Sequence, residues 1–332
     1  AGSVPQPGTS VTGLLAANSR LAGRYIILSK VGQGGMGAVY EAVDTRLNRH
    51  CAVKEMSSAY LPTAAERQLA VANFERETTM LAALTHPNLP HVTDHFSEGG
   101  RHYMVMEFIE GETLDKRVQP GGRPMPEAEV RAVAGQLCDV LDYLHRQKPP
   151  VIFRDLKPAN VMLQPNGQVK LIDFGIVRFF KPGQQQDTQL LGTPGFAAPE
   201  AYVGQTDARS DIYSLGMTLY CLLTAKDPPQ NLAGFHPLAD LSACASQEFT
   251  RGIIKALELE RANRWQSAGE MRRSLQGVSA PGDVHVGTGT AGLPPAPAGG
   301  RIRDATQRLT LTIVRQVRQM SNIQLAATAI AL

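Results

Sequence analysis

The stretch Phe153-Arg154-Asp155-Leu156-Lys157-Pro158-Ala159-Asn160, followed by Asp173-Phe174-Gly175, decides how this chain is read. Two acids, a lysine and an amide stand at fixed spacing beside the apolar runs Val151-Ile152-Phe153 and Val169-Lys170-Leu171-Ile172. Those runs read as short strands, so the polar groups fall at strand ends and in loops, where sites form. Phosphoryl transfer needs an acid to orient a hydroxyl, a cation beside the moving group, and an Asn/Asp pair to hold magnesium against a nucleotide. In that reading Asp155 is the base or hydroxyl-orienting residue and Lys157 contacts the transferred group. Asn160 and Asp173 are the metal ligands. Simple Asx turns can account for one such acid, but D-L-K-P-x-N followed by D-F-G at this distance is a strong joint signal.

Working outward, Gly32-Gln33-Gly34-Gly35-Met36-Gly37 fits G-x-G-x-x-G. Dinucleotide-binding folds share that pattern, but there it opens a helix. Here Ala38 to Val43 is a strand-type run that leads through a turn to Cys51-Ala52-Val53-Lys54. The expectation is a hairpin whose glycines (Gly32, Gly34, Gly37) lie over phosphates without side chains in the way, with the Lys54 ammonium against them. A lysine in that place needs a carboxylate to hold it. Phe74, Glu77, Leu81 and Leu84 share one face of a helix expected from about Thr63 to Leu84, so Glu77 is expected to point inward and pair with Lys54.

Composition is compatible with an enzyme of this kind and excludes others. The chain has 332 residues, 43% hydrophobic and 19% charged, enough for a sizeable core in one large domain or two lobes. A net charge of +3 without a nucleic-acid motif argues against a nucleic-acid partner. The four cysteines (Cys51, Cys138, Cys221, Cys244) form no C-x-x-C pair and read as reduced thiols in a cytosolic protein. The first ten residues, with no basic region followed by an apolar one, are not expected to be a signal peptide. Short strands separated by turns run from Tyr25 to Phe108, and helices dominate from Pro126. Val130, Val133, Leu137, Leu141 and Leu144 line one helical face. Ile212 to Ala225, apolar nearly all round, reads as a buried central helix. There is no internal repeat.

Taken together, these motifs resemble the eukaryotic-like (Hanks-type) protein kinases, and most of all the bacterial serine/threonine kinases. The resemblance implies an α+β, two-lobed fold. The expected divisions are a flexible N-terminal segment over 1–20 and a kinase domain over 21–276, with an N-lobe over 21–106, a hinge over 107–111 and a C-lobe over 112–276. A Gly/Pro-rich linker over 277–303 and a helical tail over 304–332 follow. The resemblance also implies ATP and Mg2+ as cofactors, protein substrates, and an ion pair between Lys54 and Glu77. Met106 matches the gatekeeper and Glu107 to Ile109 the adenine-binding hinge. Val39, Ala52, Ile109 and Met162 complete the nucleotide site. Ala198-Pro199-Glu200 closes the activation segment, Arg264 pairs with that glutamate, and Asp211 braces the catalytic loop. Lys157 marks a Ser/Thr acceptor. Thr193 matches the threonine that contacts the catalytic Asp and Lys. Thr188 and Thr193 are the phosphorylation candidates, with Arg154 placed to bind a phosphate on the segment.

One position departs from the family pattern, which has His where this chain has Phe153. The family's His stacks in an apolar column, matched here by Leu81 and Phe174. Phe fills that place by packing and forgoes hydrogen bonds worth on the order of 1 kcal/mol. Activity is therefore expected, in preference to a pseudokinase scaffold or a signalling interaction module. A kinase of small molecules is disfavoured by the activation segment. At the far end, Arg301, Arg303, Arg308, Arg315 and Arg318 precede the apolar run Ile323 to Leu332. That order suggests a juxtamembrane segment, with the kinase domain on the inner face of the membrane, ahead of a span that the chain end cuts short. A helix that docks on the kinase or on a second copy, giving a homodimer, is the other reading.

Overall fold

The computed structural model describes residues 13–34, 37–56, 64–173, 178–179, 193–229 and 235–277. Within the helix that follows residue 63 several side chains, Glu77 among them, also lie outside the description. The described residues outside 231–235 belong to one compact unit; a second unit, 231–235 and 281–332, lies outside the described residues except for Phe235.

The chain begins with β1 (Arg20–Leu21), β2 (Tyr25–Gly34), β3 (Gly37–Asp44) and β4 (Arg49–Met56), then α1 (Ala64–Ala83), β5 (Val92–Glu98) and β6 (Arg101–Glu107). The six strands form one antiparallel sheet in the order β1-β2-β3-β4-β6-β5. Alternation along β2 and β3 puts Tyr25, Ile27, Ala38, Tyr40 and Ala42 on a buried face, where Val53, Tyr103 and Val105 join them. Tyr25, Phe96 and Tyr103 stack there, with centroids 5.6 and 5.2 Å apart. The stretch read as loose up to residue 20 is, from Gly13 on, tied to this sheet. The Asn18 amide donates to the Ile27 carbonyl at 2.8 Å, the Ile27 amide to that of Ser19 at 2.9 Å, and Leu15 packs on the core. Its small, polar composition hid this because main-chain atoms make the bonds.

The second lobe starts with β7 (Glu112–Thr113), α2 (Leu114–Arg117) and α3 (Glu127–His145). It continues through β8 (Val151–Ile152), β9 (Val161–Leu163), β10 (Val169–Leu171) and β11 (Arg178–Phe179). It is completed by α4 (Ala208–Thr224), α5 (Pro237–Cys244), α6 (Gln247–Ala256) and α7 (Ala268–Leu275). The expected apolar face of α3 is fully buried, Val130 through Leu144. The central helix is α4. A capping box between Asp207 and Ser210 starts it, Ala225 at φ +50° ends it, and every residue from Ser210 to Leu223 is buried. Burial on all sides explains the absence of an amphipathic pattern. Small ladders β10-β9-β7 and β11-β8 carry the loops of the site between the sheet and α4. Among the described residues no helix is long and apolar enough to cross a membrane, and the tail over 304–332 lies outside them.

Candidate active site

The sheet side of the site follows from register. Gly32 pairs with Val39, Val39 with Lys54, and Ala52 with Met106. Residues directly opposite in a ladder share a face, so the glycine strand, Val39 and Lys54 present one surface. Gly34 and Gly37 close the hairpin; Gly35 and Met36 at its tip lie outside the described residues. Lys54 is nine-tenths buried and its Nζ donates to Asp173 Oδ1 at 2.8 Å. Glu77 stands on α1, one turn before Leu81, and its side chain lies outside the described residues, as does Phe174. The partner described for Lys54 is therefore Asp173, the acid expected to bind metal.

The catalytic-loop side is one connected network. Lys157 Nζ donates to Asp155 Oδ2 at 2.8 Å and to Thr193 Oγ1 at 2.6 Å. Thr193 donates to Asp155 Oδ1 twice, from its hydroxyl at 2.7 Å and its amide at 3.1 Å. Asn160 Nδ2 donates to the Asp155 carbonyl at 2.8 Å and to Oδ2 at 2.9 Å. Both Asn160 amide protons are thus committed, which leaves its side-chain oxygen as the atom able to bind a cation. The Ile172 amide donates to the Asn160 carbonyl at 2.9 Å, so the loop is pinned to the chain leading into Asp173. The contact expected between Thr193 and the Asp155/Lys157 pair is present. Thr188 lies outside the described residues.

Beneath this network sits Asp211, wholly buried on α4. It accepts from the amides of Phe153 at 2.8 Å and Arg154 at 2.7 Å, and its Oδ2 lies 2.7 Å from His145 Nε2. Arg154 is held at φ +70° and Asp173 at φ +65°, conformations that side chains disfavour. Arg154 adjoins Asp155 and Asp173 is itself an expected metal ligand, the kind of place where backbone strain tends to sit. Phe153 is 1% exposed and, like Leu81, buried, as a packing substitute requires. The His145 contact was missed; its only sequence signal is a polar ring on the last turn of an apolar helix.

The activation segment is anchored by Glu200 and Arg264. Arg264 donates to both Glu200 oxygens at 2.6 and 2.8 Å and to the carbonyls of Glu258, Arg209 and Leu259. All five guanidinium protons are used, on a side chain with no exposure. Burial alone raises the Glu200 carboxyl, but the Arg264 guanidinium and the Ser210 hydroxyl outweigh it and hold the group below its usual value of 4.5.

At the hinge, Met106 is half-buried one residue before the end of β6, and Ile109 is buried. Glu107 is gripped by Lys170, whose buried Nζ reaches Glu107 Oε2 at 2.8 Å and the Leu89 carbonyl at 3.2 Å. The apolar strand around Lys170 gave no hint of that role. Met162 pairs with Lys170 in the β9–β10 ladder. A cavity of about 520 Å3, lined by Gly111, Met125, Val133, Leu163 and Pro165 among others, shares none of the site residues. Of the cysteines, Cys51, Cys138 and Cys221 are buried and Cys244 is exposed, all four as free thiols.

A β-sheet lobe carrying a glycine hairpin and a buried lysine, joined by a hinge to a helical lobe carrying Asp155, Asn160 and Asp173, defines a protein kinase. Residues 25–267 match the protein kinase domain family, and the chain belongs to that family. It is 37% identical over 276 residues to a probable serine/threonine-protein kinase of Streptomyces coelicolor, covering 77% of this chain and 40% of that one. It is 35% identical over 273 residues to the serine/threonine-protein kinase PknB of Mycobacterium leprae, covering 77% and 43%. The crystal structure of the Mycobacterium tuberculosis PknI kinase domain superposes with a TM-score of 0.60 at 27% identity, over 80% of this chain and 100% of that one. The chain thus falls with the bacterial serine/threonine kinases of the Hanks type, and it spans about two fifths of the length of those curated relatives.

Proposed function

We propose that this chain transfers the γ-phosphate of ATP to Ser or Thr hydroxyls on proteins, with magnesium, and phosphorylates its own activation segment. The observation that carries this is the hydroxyl of Thr193, held 2.7 Å from the Asp155 carboxylate and 2.6 Å from the Lys157 ammonium. A substrate hydroxyl brought beside it would meet the same pair, the Asp155 carboxylate as base and the Lys157 ammonium as the cation for the incoming phosphoryl. As the hydroxyl oxygen bonds to the γ-phosphorus, the bond to the β–γ bridging oxygen breaks and ADP leaves. Asp155 takes the hydroxyl proton. Lys54 and Lys157 offset charge on the phosphates, and Gly32, Gly34 and Gly37 admit them without a side chain in the way. Val39, Ala52, Met106, Glu107, Ile109 and Met162 are the proposed adenine surroundings.

The donor set fits magnesium. The Asn160 side-chain oxygen and the Asp173 carboxylate are hard oxygen ligands of the kind this ion takes when phosphates supply the rest. Bound there, the metal would neutralise charge on the β- and γ-phosphates. A non-catalytic scaffold is disfavoured because Lys54, Asp155 and Asp173 are all in place and paired.

Incubation with Mg-ATP followed by phosphosite mapping tests the reading, with Asp155→Asn as control. Phosphate on Thr188 or Thr193 is expected in the parent protein. No Ser/Thr phosphate above the control would overturn the enzyme reading. The basic and apolar segment over 301–332 supports attachment of the domain to the inner face of a membrane, ahead of self-association as a homodimer. Loss of membrane association on its removal would support the first reading, and loss of dimers the second.

A further inference from the structure

The face of the sheet opposite Lys54 carries a second set of contacts. Gln33 pairs with Ala38 and Ala38 with Glu55, one residue along from the Gly32, Val39 and Lys54 row. Because strand side chains alternate, these three point away from the nucleotide side. Glu55 is wholly buried, a position that an unpaired carboxylate tolerates only at high cost. It is satisfied by Arg101 Nη1 at 2.6 Å, the Tyr40 hydroxyl at 2.9 Å and the main-chain amide of Gly13 at 3.0 Å.

That third donor comes from the far N-terminal segment. Gly13 also lies against the side chain of Gln33 on the glycine strand: a β-carbon there would stand 2.6 Å from Gln33 Oε1, and φ is +84°. The positive φ favours glycine, whereas the Gln33 side-chain end could swing aside. Two residues on, the Leu15 amide meets the Tyr40 hydroxyl at 3.4 Å, and the Leu15 side chain packs on the sheet core. Lys30 Nζ donates to Gln33 Oε1 at 2.8 Å. One short segment therefore touches the glycine strand through Gln33 and the lysine strand through Glu55.

We propose that residues 13–19 act as a clasp on the outer face of the N-lobe, holding the glycine hairpin in register over Lys54 and so setting the affinity for ATP. Glu55 is the positioning residue on which the clasp closes. This rests on the kinase reading of the cleft. The clasp touches none of Asp155, Lys157, Asn160 or Thr193, so its effect falls on nucleotide binding and leaves the transfer step alone.

The test is Gly13→Val in the full chain, read by the KM for ATP, by kcat, and by the Kd of a fluorescent ATP analogue. A β-branched side chain is strained at the φ of +84° and so draws the segment off the sheet. We expect KM and Kd to rise about three- to ten-fold, the worth of one or two net hydrogen bonds, with kcat within about twofold. Tyr40→Phe keeps the ring in the core and deletes only the hydroxyl; it moves Kd the same way by a smaller factor and decides the matter if the valine variant does not fold. Lower thermal stability with unchanged Kd would reduce the segment to packing and overturn the clasp, as would no change at all. Weaker analogue binding in a variant of a parent protein that transfers no phosphate would leave the clasp standing and remove the catalytic reading. A parent that binds no analogue removes both.

Discussion

Replacing Asp211 by Asn isolates what braces the catalytic loop. The side chains are nearly isosteric, so packing is preserved and only donors and acceptors change. Asp211 spends its two oxygens on three neighbours: Oδ1 on the Arg154 amide at 2.7 Å, and Oδ2 on the Phe153 amide at 2.8 Å and His145 Nε2 at 2.7 Å. An amide must put NH2 where one oxygen stood. In either orientation one main-chain N–H then faces another donor in a site without exposure. A lost bond to a buried carboxylate and a stranded amide together cost about 2–4 kcal/mol, a large share of the roughly 5–15 kcal/mol that holds a domain. Function suffers more than stability. Arg154 at φ +70° is held against a conformational preference of about 1–2 kcal/mol. Freed of its bond it relaxes, and Asp155 moves with it. We expect kcat to fall about a hundredfold, as for a nucleophile held out of line, and the KM for ATP to stay within about twofold, because Lys54 and the glycine strand are untouched. Urea unfolding and steady-state transfer to a peptide measure both. A variant within about 0.5 kcal/mol of the parent and within twofold in kcat would refute the brace.

Two further outcomes follow from the same geometry. Thr193→Ala removes the hydroxyl between Asp155 and Lys157 and is expected to lower kcat about tenfold or more, while Thr193→Ser restores most of it; equal rates for Ala and Ser would show that only the Thr193 amide matters. Glu200 has its folded pKa depressed below 4.5, so its stabilising effect is complete above that pH and is lost as pH falls through the lower, folded value. Glu200→Gln should therefore cost about 3–5 kcal/mol at pH 7, where Arg264 is left unpaired, and give a shallower loss of melting temperature below pH 4.5 than the parent; parallel acid limbs would refute the assignment.

Much of this was legible because the chemistry is local in sequence. Asp155, Lys157 and Asn160 lie within six residues, and a loop that short brings them together whatever surrounds it. Periodicity likewise fixed α3, whose apolar face carries through from Val130 to Leu144. Contacts made by main-chain atoms were not legible. Gly13 and Asn18 bond the sheet through their amides, which leave no compositional trace, so that stretch read as loose. Buried charges at long range were also hidden. Lys170 sits inside an apolar strand and finds Glu107 sixty-three residues away, and Glu55 looks like any strand acid until Arg101 and Tyr40 close over it.

Phe153 shows how a departure at a catalytic motif can leave its geometry intact. What the loop requires from position 153 is an amide proton for Asp211 and a bulky apolar body, and every residue except proline supplies the first. The second is met by a phenyl ring that is 1% exposed. The side chain that cannot be exchanged is the acceptor below it, since only a carboxylate offers lone pairs to two adjacent amides and a histidine together. Position 154 is constrained differently, by a positive φ that the Asp211 bond must hold. Hence the burden that a motif comparison assigns to the first residue of Phe-Arg-Asp falls, in this structure, on an aspartate fifty-eight residues downstream, and the placement of Asp155 depends more on α4 than on the identity of residue 153.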